Sequence, residues 1–515
     1  MALGRARAVG LIGLEGHVVL VEADVAQGLP AFTLIGLPDT SLAEARDRVR
    51  AATGNAGCPL PARRITVNLS PAALPKAGAS FDLAVAAALL AATAQVDPAS
   101  VVGCVHLGEL GLDGRVRPVP GVLPAVMAAV AAGVPRVVVP VGNAVEARLV
   151  PGAEVVAVGS LQDVVALHRG LPIPEVPTRP APAPAGGRAS RPAVVRDLAD
   201  VVGQVEARHA LEVAAGGGHH LLLVGPPGAG KTMLAARLPG LLPDLEVHEA
   251  LEVTAVHSVA GTLDPAAGLL DRPPFEDPHH TATVTALVGG GSGMPRPGAA
   301  SRAHRGVLFL DEAAEFAPHA LDALRQPLEH GELVIHRARG AARFPARFQL
   351  VLASNPCPCG MASGKGELCS CSPLVRRRYL GRLSGPLLDR VDLQVEVLAV
   401  SRAQMAVAAA PEPSEVVAAR VAVARRAQRA RLTGTPWVCN GEVPGTWLRG
   451  PGRLAPSCTV DVDLALDRGA LSVRGYDRVL RVAWTIADLA GRARPTREDV
   501  GRALLLRRRG RVEAA

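Results

Sequence analysis

Eight consecutive residues, Gly225-Pro-Pro-Gly-Ala-Gly-Lys-Thr232, have the types and the spacing to hold a triphosphate. They spell G-x-x-x-x-G-K-[ST] directly after the apolar run Leu221–Val224 and before a helical pattern, the setting that gives the motif its meaning. Gly225, Gly228 and Gly230, with Pro226, Pro227 and Ala229 between them, let backbone N–H groups turn inward onto phosphate oxygens. Lys231 would reach the β- and γ-phosphates and Thr232 would hold Mg2+, so ATP with Mg2+ is the expected ligand. Downstream, Val307-Leu-Phe-Leu-Asp-Glu312 reads as a buried strand ending in two carboxylates. Asp311 can hold the water shell of Mg2+, and Glu312 can polarise a water for in-line attack on the γ-phosphate. Asn355, at the tip of the next apolar run, places a neutral amide where it could hydrogen-bond the same water.

Three further groups carry chemistry. Cys357-Pro-Cys359 and Cys369-Ser-Cys371 stand nine residues apart, with Gly360 and Gly364 permitting a fold-back. A structural Zn2+ site, a loop of reduced thiols and a redox switch all fit four thiols so placed, although C-x-C is tighter than the common C-x-x-C. A catalytic metal does not fit, because four thiolates leave no open position. Arg337-Ala-Arg-Gly-Ala-Ala-Arg343 lies between a strand beginning at Glu332–Val334 and a return over Phe344–Leu350, which predicts a hairpin carrying Arg337, Arg339 and Arg343 at or near its tip. Such a turn suits a phosphate backbone, or is a solvated basic loop. His219-His220 and His279-His280 invite a metal reading, but neighbours on an extended segment point to opposite faces and rarely share one ion.

The elements that must position these groups are legible in outline. The chain has 515 residues, enough for about three domains. It is 49% hydrophobic and 20% charged with a mean hydropathy of +0.25, which excludes wholesale disorder. Three of its 55 basic residues are lysines (Lys76, Lys231, Lys365), and the net charge of +8 favours an anionic partner without naming one. Seven Phe, three Trp and two Tyr are too few for a surface that stacks base after base. Eight cysteines exclude a disulfide scaffold and fit a reducing compartment. The longest apolar stretch, Leu83–Ala92, is far short of the ~20 residues of a membrane span, and Glu15 and Glu22 interrupt the start, so a soluble cytoplasmic protein without membrane association is expected. A run of prolines in Leu171–Pro192 marks an extended spacer. After it, strand-like runs alternate with helical ones, predicting an α/β core with a parallel sheet. Val416–Arg431 reads as a helix with one basic face, and Leu480, Ala483, Trp484 and Ala487 fall at helical spacing in a small C-terminal helical domain.

At this point the residues resemble a family. Asp200-Val-Val-Gly-Gln204, Leu308-Phe-Leu-Asp-Glu312, Ala353-Ser-Asn-Pro-Cys-Pro-Cys-Gly360 and Ser384-Gly-Pro-Leu-Leu-Asp-Arg390 look like the magnesium-chelatase-like AAA+ ATPases of the YifB/ComM type, and the resemblance covers nearly the whole chain. It implies a ribosomal-S5/Lon-protease-like α+β domain over 1–170, a proline-rich linker over 171–195, a P-loop AAA+ α/β core over 196–400 and a C-terminal helical lid over 401–515. By position, Asn355 matches sensor 1, Arg390 the arginine finger offered to a neighbouring subunit, and Arg474 the sensor-2 arginine. A finger in trans requires a homo-oligomeric ring, usually a hexamer. The arginine hairpin matches that clade's pore hairpin and Gly289–Pro297 its insert into helix 2, with Ala299 where the family pattern has Glu. In the first domain, Ser80 sits where the related protease keeps its nucleophile, but Leu123 stands at the lysine position and Lys76 is too close to replace it, so a scaffold or a platform for DNA or a partner is expected rather than a peptidase.

The resemblance therefore implies a ring-forming ATPase that moves on single-stranded or branched DNA, a helicase or branch-migration factor in recombination or natural transformation. The alternatives are an ATPase driving metal insertion or remodelling of a protein partner, as magnesium chelatase does, and a switch that binds ATP without working turnover. The basic hairpin, the pI of 9.4 and the fused first domain weigh against the former, and Glu312, Asn355 and Arg390 against the latter.

Overall fold

A computed structural model describes residues 3–36, 44–72, 74, 76, 78–173, 196–264, 268–291, 295–337, 340–362, 369–400 and 411–507. The proline run past 173 and Arg339 of the hairpin lie outside the described residues.

Along much of the N-terminal strands buried residues alternate with less buried ones, as they must where one face is covered more completely than the other. Leu3–Ile12 and Glu15–Ala26 form an antiparallel hairpin within a mixed seven-stranded sheet ordered Ala31–Ile35, Arg64–Ser70, Glu15–Ala26, Leu3–Ile12, Val105–His106, Arg136–Pro140, Glu154–Val158. Val19, Val21 and Ala23 pack under helix Asp82–Ala92, all of whose residues are buried. The opposite face, with Val9 and Val18, packs helix Val122–Ala131. The long apolar stretch is thus the central core helix of this layer.

The second sheet is built from five short parallel strands: β1 (Leu221–Val224), β2 (Phe275–Glu276), β3 (Val307–Leu310), β4 (Gln349–Ser354) and β5 (Leu393–Glu396), in the order β2-β3-β4-β1-β5. These strands are almost wholly apolar because helices cover both faces. Leu221, Leu223, Phe309, Val351 and Leu393 face one core, while Leu222, Leu308, Leu310, Leu350 and Leu352 face the other. The first of these cores also contains Val479, Ala483 and Trp484 of helix Val473–Leu489. The C-terminal helices therefore share a core with the sheet instead of closing one of their own.

The basic face of helix Ser414–Arg431 is spent on this packing. Arg431 is paired with Asp488 at 2.7 Å, Arg420 with Glu212 at 2.7 Å, and Arg425 donates to the Ala215 carbonyl at 2.8 Å. Among the described residues, no helix is long and apolar enough to cross a membrane.

The N-terminal sheet docks on the second unit through helix Val247–Ala260, whose Leu251 and Ala255 join the apolar layer of Leu123 and Val126. A buried carboxylate closes the contact: Glu146 accepts from the Leu123 amide at 2.9 Å, from the Asn143 side chain at 3.1 Å and from Ser258. Burial pushes its carboxyl above the usual range against the pull of those donors. Gly13, at φ +65°, brings the turn of the first hairpin against the Arg343 carbonyl.

Candidate functional site

In a parallel sheet every strand tip points the same way, and ligands collect there. The loop 225–230 leaves the C-terminal end of β1, with Gly228 and Gly230 at φ +78° and +92°, and helix Lys231–Ala235 follows. Asp311 follows β3 and Asn355 follows β4 on the same edge. Lys231 Nζ donates to the carbonyls of Gly225 (2.7 Å) and Pro226 (2.9 Å) and to Asn355 Oδ1 (3.1 Å). Thr232 Oγ1 donates to Asp311 Oδ2 at 2.6 Å. Burial lowers the Lys231 ammonium pKa, and the carboxylates of Asp311 and Glu312 oppose that. An ammonium, a hydroxyl, a carboxylate and an amide within mutual reach are the donor set that a magnesium-bound triphosphate needs. The structure thus brings the phosphate loop, Asp311 and Asn355 together.

Glu312 has a partner that the sequence did not disclose. His280 Nδ1 lies 3.1 Å from Glu312 Oε2, and Glu312 itself sits at φ +50°, in the left-handed region. His279 Nδ1 bonds Thr281 at 2.9 Å, but its ring lies against that of His280 with centroids 4.1 Å apart, so the expectation that the two neighbours point to opposite faces is corrected. The other pair is structural: His219 bonds Thr485 at 2.7 Å, and His220 accepts from the Leu350 amide at 3.0 Å.

Arg390 and Arg474 lie elsewhere. Strand β5 pairs Leu393 with Leu221, the first residue of β1, so Arg390 sits off the N-terminal edge of the sheet, opposite the phosphate loop. Arg474 begins helix Val473–Leu489 and approaches Asp389 at 3.6 Å. Both line one cleft of about 660 Å³ together with Arg347, Arg425 and Arg478, and no residue of the phosphate loop is among its walls. Burial, followed by the guanidiniums of Arg474, Arg478 and Arg325, holds Arg390 below the usual arginine range, and Glu329 pairs with it. The segment is braced from behind, where Arg478 donates to the Arg390 carbonyl at 3.0 Å and to Asp392 at 2.6 Å.

The arginine hairpin is tighter than the sequence suggested. Its strands are Glu332–Arg337 and Gly340–Pro345, paired from Glu332↔Pro345 to Arg337↔Gly340. The expected return over Phe344–Leu350 is corrected: it starts earlier, and from Gln349 the chain belongs to β4. Phe344 is buried, so the pleat turns Arg343 out to solvent, 3.4 Å from Glu332. Arg337 is exposed at the tip. The glycine-rich insert forms a small ladder, Gly289–Gly290 with Arg296–Pro297, against this hairpin, with Gly289 next to Ile335 and Gly290 next to Arg337. Ala299 is fully buried under it.

Cys357, Cys359, Cys369 and Cys371 converge so that their sulfurs all lie within 4.8 Å of one another. Burial raises the Cys357 thiol, while an amide hydrogen bond from Met361 lowers that of Cys359. In the N-terminal layer, Lys76 is buried with Nζ on the Pro71 carbonyl, and Leu123 is fully buried.

Comparison with known proteins finds similarity over most of the chain. The family model described as magnesium chelatase, subunit ChlI, matches residues 197–405, subunit ChlI of Mg-chelatase matches 21–143, and the ChlI C-terminal model matches 411–507. An uncharacterized protein of Mycobacterium tuberculosis is 53% identical over 517 residues, covering 99% of both chains. The uncharacterized protein YifB of Escherichia coli is 41% identical, covering 95% of this chain and 94% of its own. The competence protein ComM of Haemophilus influenzae is 42% identical, covering 93% and 92%.

Proposed function

The chain belongs to the magnesium-chelatase-like AAA+ ATPases of the YifB/ComM type, and from that premise we propose that it is a ring-forming motor coupling ATP hydrolysis to movement on DNA. The observation that carries the ring is the separation of the phosphate loop from Arg390 and Arg474 by the length of the sheet. Neither arginine can serve the nucleotide of its own subunit, so each completes a neighbour's site, and a closed homo-oligomer, a hexamer in this reading, satisfies every site at once.

Within one site the loop amides and Lys231 would hold the β- and γ-phosphates, and Thr232 with Asp311 would hold Mg2+, which when bound would supply charge neutralisation. Glu312 takes the proton of the attacking water as its oxygen bonds the γ-phosphorus and ADP leaves, while Asn355 fixes that water. Arg390 and Arg474 of the next subunit meet the charge that develops on the transferred group. Arg337, Arg339 and Arg343, repeated around the ring beside the glycine-rich insert, grip the phosphate backbone of single-stranded or branched DNA without reading bases.

Similarity to a protein named for competence supports a place in natural transformation, and a helicase or branch-migration role is the form of DNA movement that this reading assigns there. The first domain serves as a scaffold and not as a peptidase, since Leu123 is sealed in the apolar layer where a lysine base would be needed. The four-thiol cluster is a site for structural Zn2+. The protein is cytoplasmic in this reading.

The test is steady-state ATP hydrolysis by the purified chain without DNA, with single strands and with branched duplexes, using Glu312→Gln as the blank. Stimulation by DNA that the variant lacks is the expected result. Hydrolysis indifferent to every DNA would move a chelatase-like or protein-remodelling role to the front.

A further inference from the structure

The cysteine cluster meets the two requirements of a structural zinc site, spacing and attachment. Cys357 Sγ lies 3.3 Å from Cys359 Sγ and 3.6 Å from Cys369 Sγ, and Cys359 and Cys369 are 3.6 Å apart. A tetrahedral Zn2+ with four bonds of about 2.3 Å has sulfur–sulfur edges of about 3.8 Å, so these three sulfurs need a few tenths of an ångström of opening to accept the ion, and Cys371 Sγ stands within 4.8 Å of them as the fourth ligand. A disulfide would need about 2.05 Å, and all four thiols are free. The ligand class is a soft or borderline divalent cation, for which thiolates are the preferred donors.

Attachment gives the site its meaning. Cys357 is fully buried two residues after Asn355, whose amide touches Lys231. Gly360 follows Cys359 at φ +76°, and its backbone lies so close to the phosphate loop that a Cβ there would be 2.5 Å from Pro227. On the far side, Arg376 donates to the Cys371 carbonyl at 3.0 Å, and Ser372 caps helix Pro373–Leu380, whose Tyr379 is buried in the core. The cluster is therefore wedged between the phosphate loop, the Asn355 strand tip and a core helix.

We propose that Cys357, Cys359, Cys369 and Cys371 hold one structural Zn2+ per chain, and that this knuckle sets the spacing between the phosphate loop and Asn355, so that nucleotide affinity depends on the bound metal. The coupling rests on the ATPase reading above, whereas the metal site does not. The ion takes no part in hydrolysis, because four thiolates fill its coordination shell.

The test measures zinc by atomic emission and the dissociation constant of a fluorescent ATP analogue for three forms of the full chain. The parent holds one zinc. Cys369→Ser with Cys371→Ser holds none and binds the analogue about tenfold more weakly. Gly360→Ala pushes the knuckle off Pro227, so it keeps its zinc and loses affinity in the same direction. That second variant covers the case in which the serine pair fails to fold. Parent protein purified without zinc overturns the metal site. Zinc present with unchanged affinity in Gly360→Ala overturns the coupling. A parent that holds zinc but binds no analogue removes the ATPase reading, and the coupling with it, while leaving the site in place.

Discussion

Glu312 owes its orientation to two local facts, a left-handed backbone and a contact with His280, and only the second can be removed without moving the main chain. Glu312→Gln is expected to lower kcat by at least about 100-fold while nucleotide still binds, the usual weight of a general base. His280 would act through Glu312, the carboxylate it contacts, so it is a positioning residue. His280→Ala should lower kcat by roughly fivefold with KM unchanged, and His280→Asn, whose amide nitrogen falls near Nδ1, should recover most of it. A parallel rise in KM in both variants would show that the histidine merely supports the fold. Residue chemistry was the most legible layer of the chain. Loop 225–232, Asp311, Glu312 and Asn355 announced themselves by type and by position after apolar runs. His280 did not, because it follows β2 while Glu312 follows β3, and only the pairing of those strands brings the two together.

At the scale of elements, the strands Glu332–Arg337 and Gly340–Pro345 present charge from a buried face. Phe344 and Ala342 anchor one face of the return strand in the core, and Arg343 is left on the other. Arg337→Ala with Arg343→Ala should weaken DNA binding similarly for all sequences and reduce the slope of log affinity against log salt by about one to two units, while ATP hydrolysis without DNA persists. An unchanged slope would mean that the hairpin grips something else. The sequence placed this hairpin correctly but misplaced its return, because apolar residues flank the break on both sides (Phe344 and Ala346 before it, Phe348 and Leu350 after) and hide the junction between an antiparallel arm and β4. Helix Ser414–Arg431 teaches the converse lesson. Its arginines read as a basic surface, yet most answer carboxylates and carbonyls of the core, which a count of charge along one helix cannot reveal.

At the scale of the whole molecule, the N-terminal layer carries a titratable weak point. His106 Nε2 and His168 Nε2 are 2.9 Å apart, and His168 Nδ1 is 2.8 Å from Ser100. Burial lowers His106 to about 3, helped by the neighbouring ring, and lowers His168 to about 4, helped by Arg136 against Asp97. Both rings are neutral in the fold and take up protons on unfolding. Their stability contribution is thus complete above about pH 6.5 and drains away as pH falls toward those values. Near pH 5.5 the loss is about 1.4 kcal/mol per ring. Buried Asp82 and Glu146, held above the usual carboxyl range, change in the opposite sense. The decisive quantity is therefore the difference between parent and His168→Asn, whose thermal midpoint should fall less between pH 7.5 and pH 5.5. Equal falls would show that the pair is not the weak point. None of this was legible beforehand, since His106 and His168 are remote in sequence and meet only across the layer.

The opposed edges of the second sheet have a last consequence, for dosage. If the ring proposed above is right, a chain that carries the phosphate cradle on one side and Arg390 on the other is half of two catalysts and the whole of none. Specific activity should therefore rise with protein concentration and level off only once assembly is complete. A constant specific activity down to nanomolar dilution would require assemblies that do not come apart. Where they do, a modest change in the abundance of the protein acts as a switch on its turnover, with no dedicated regulator needed.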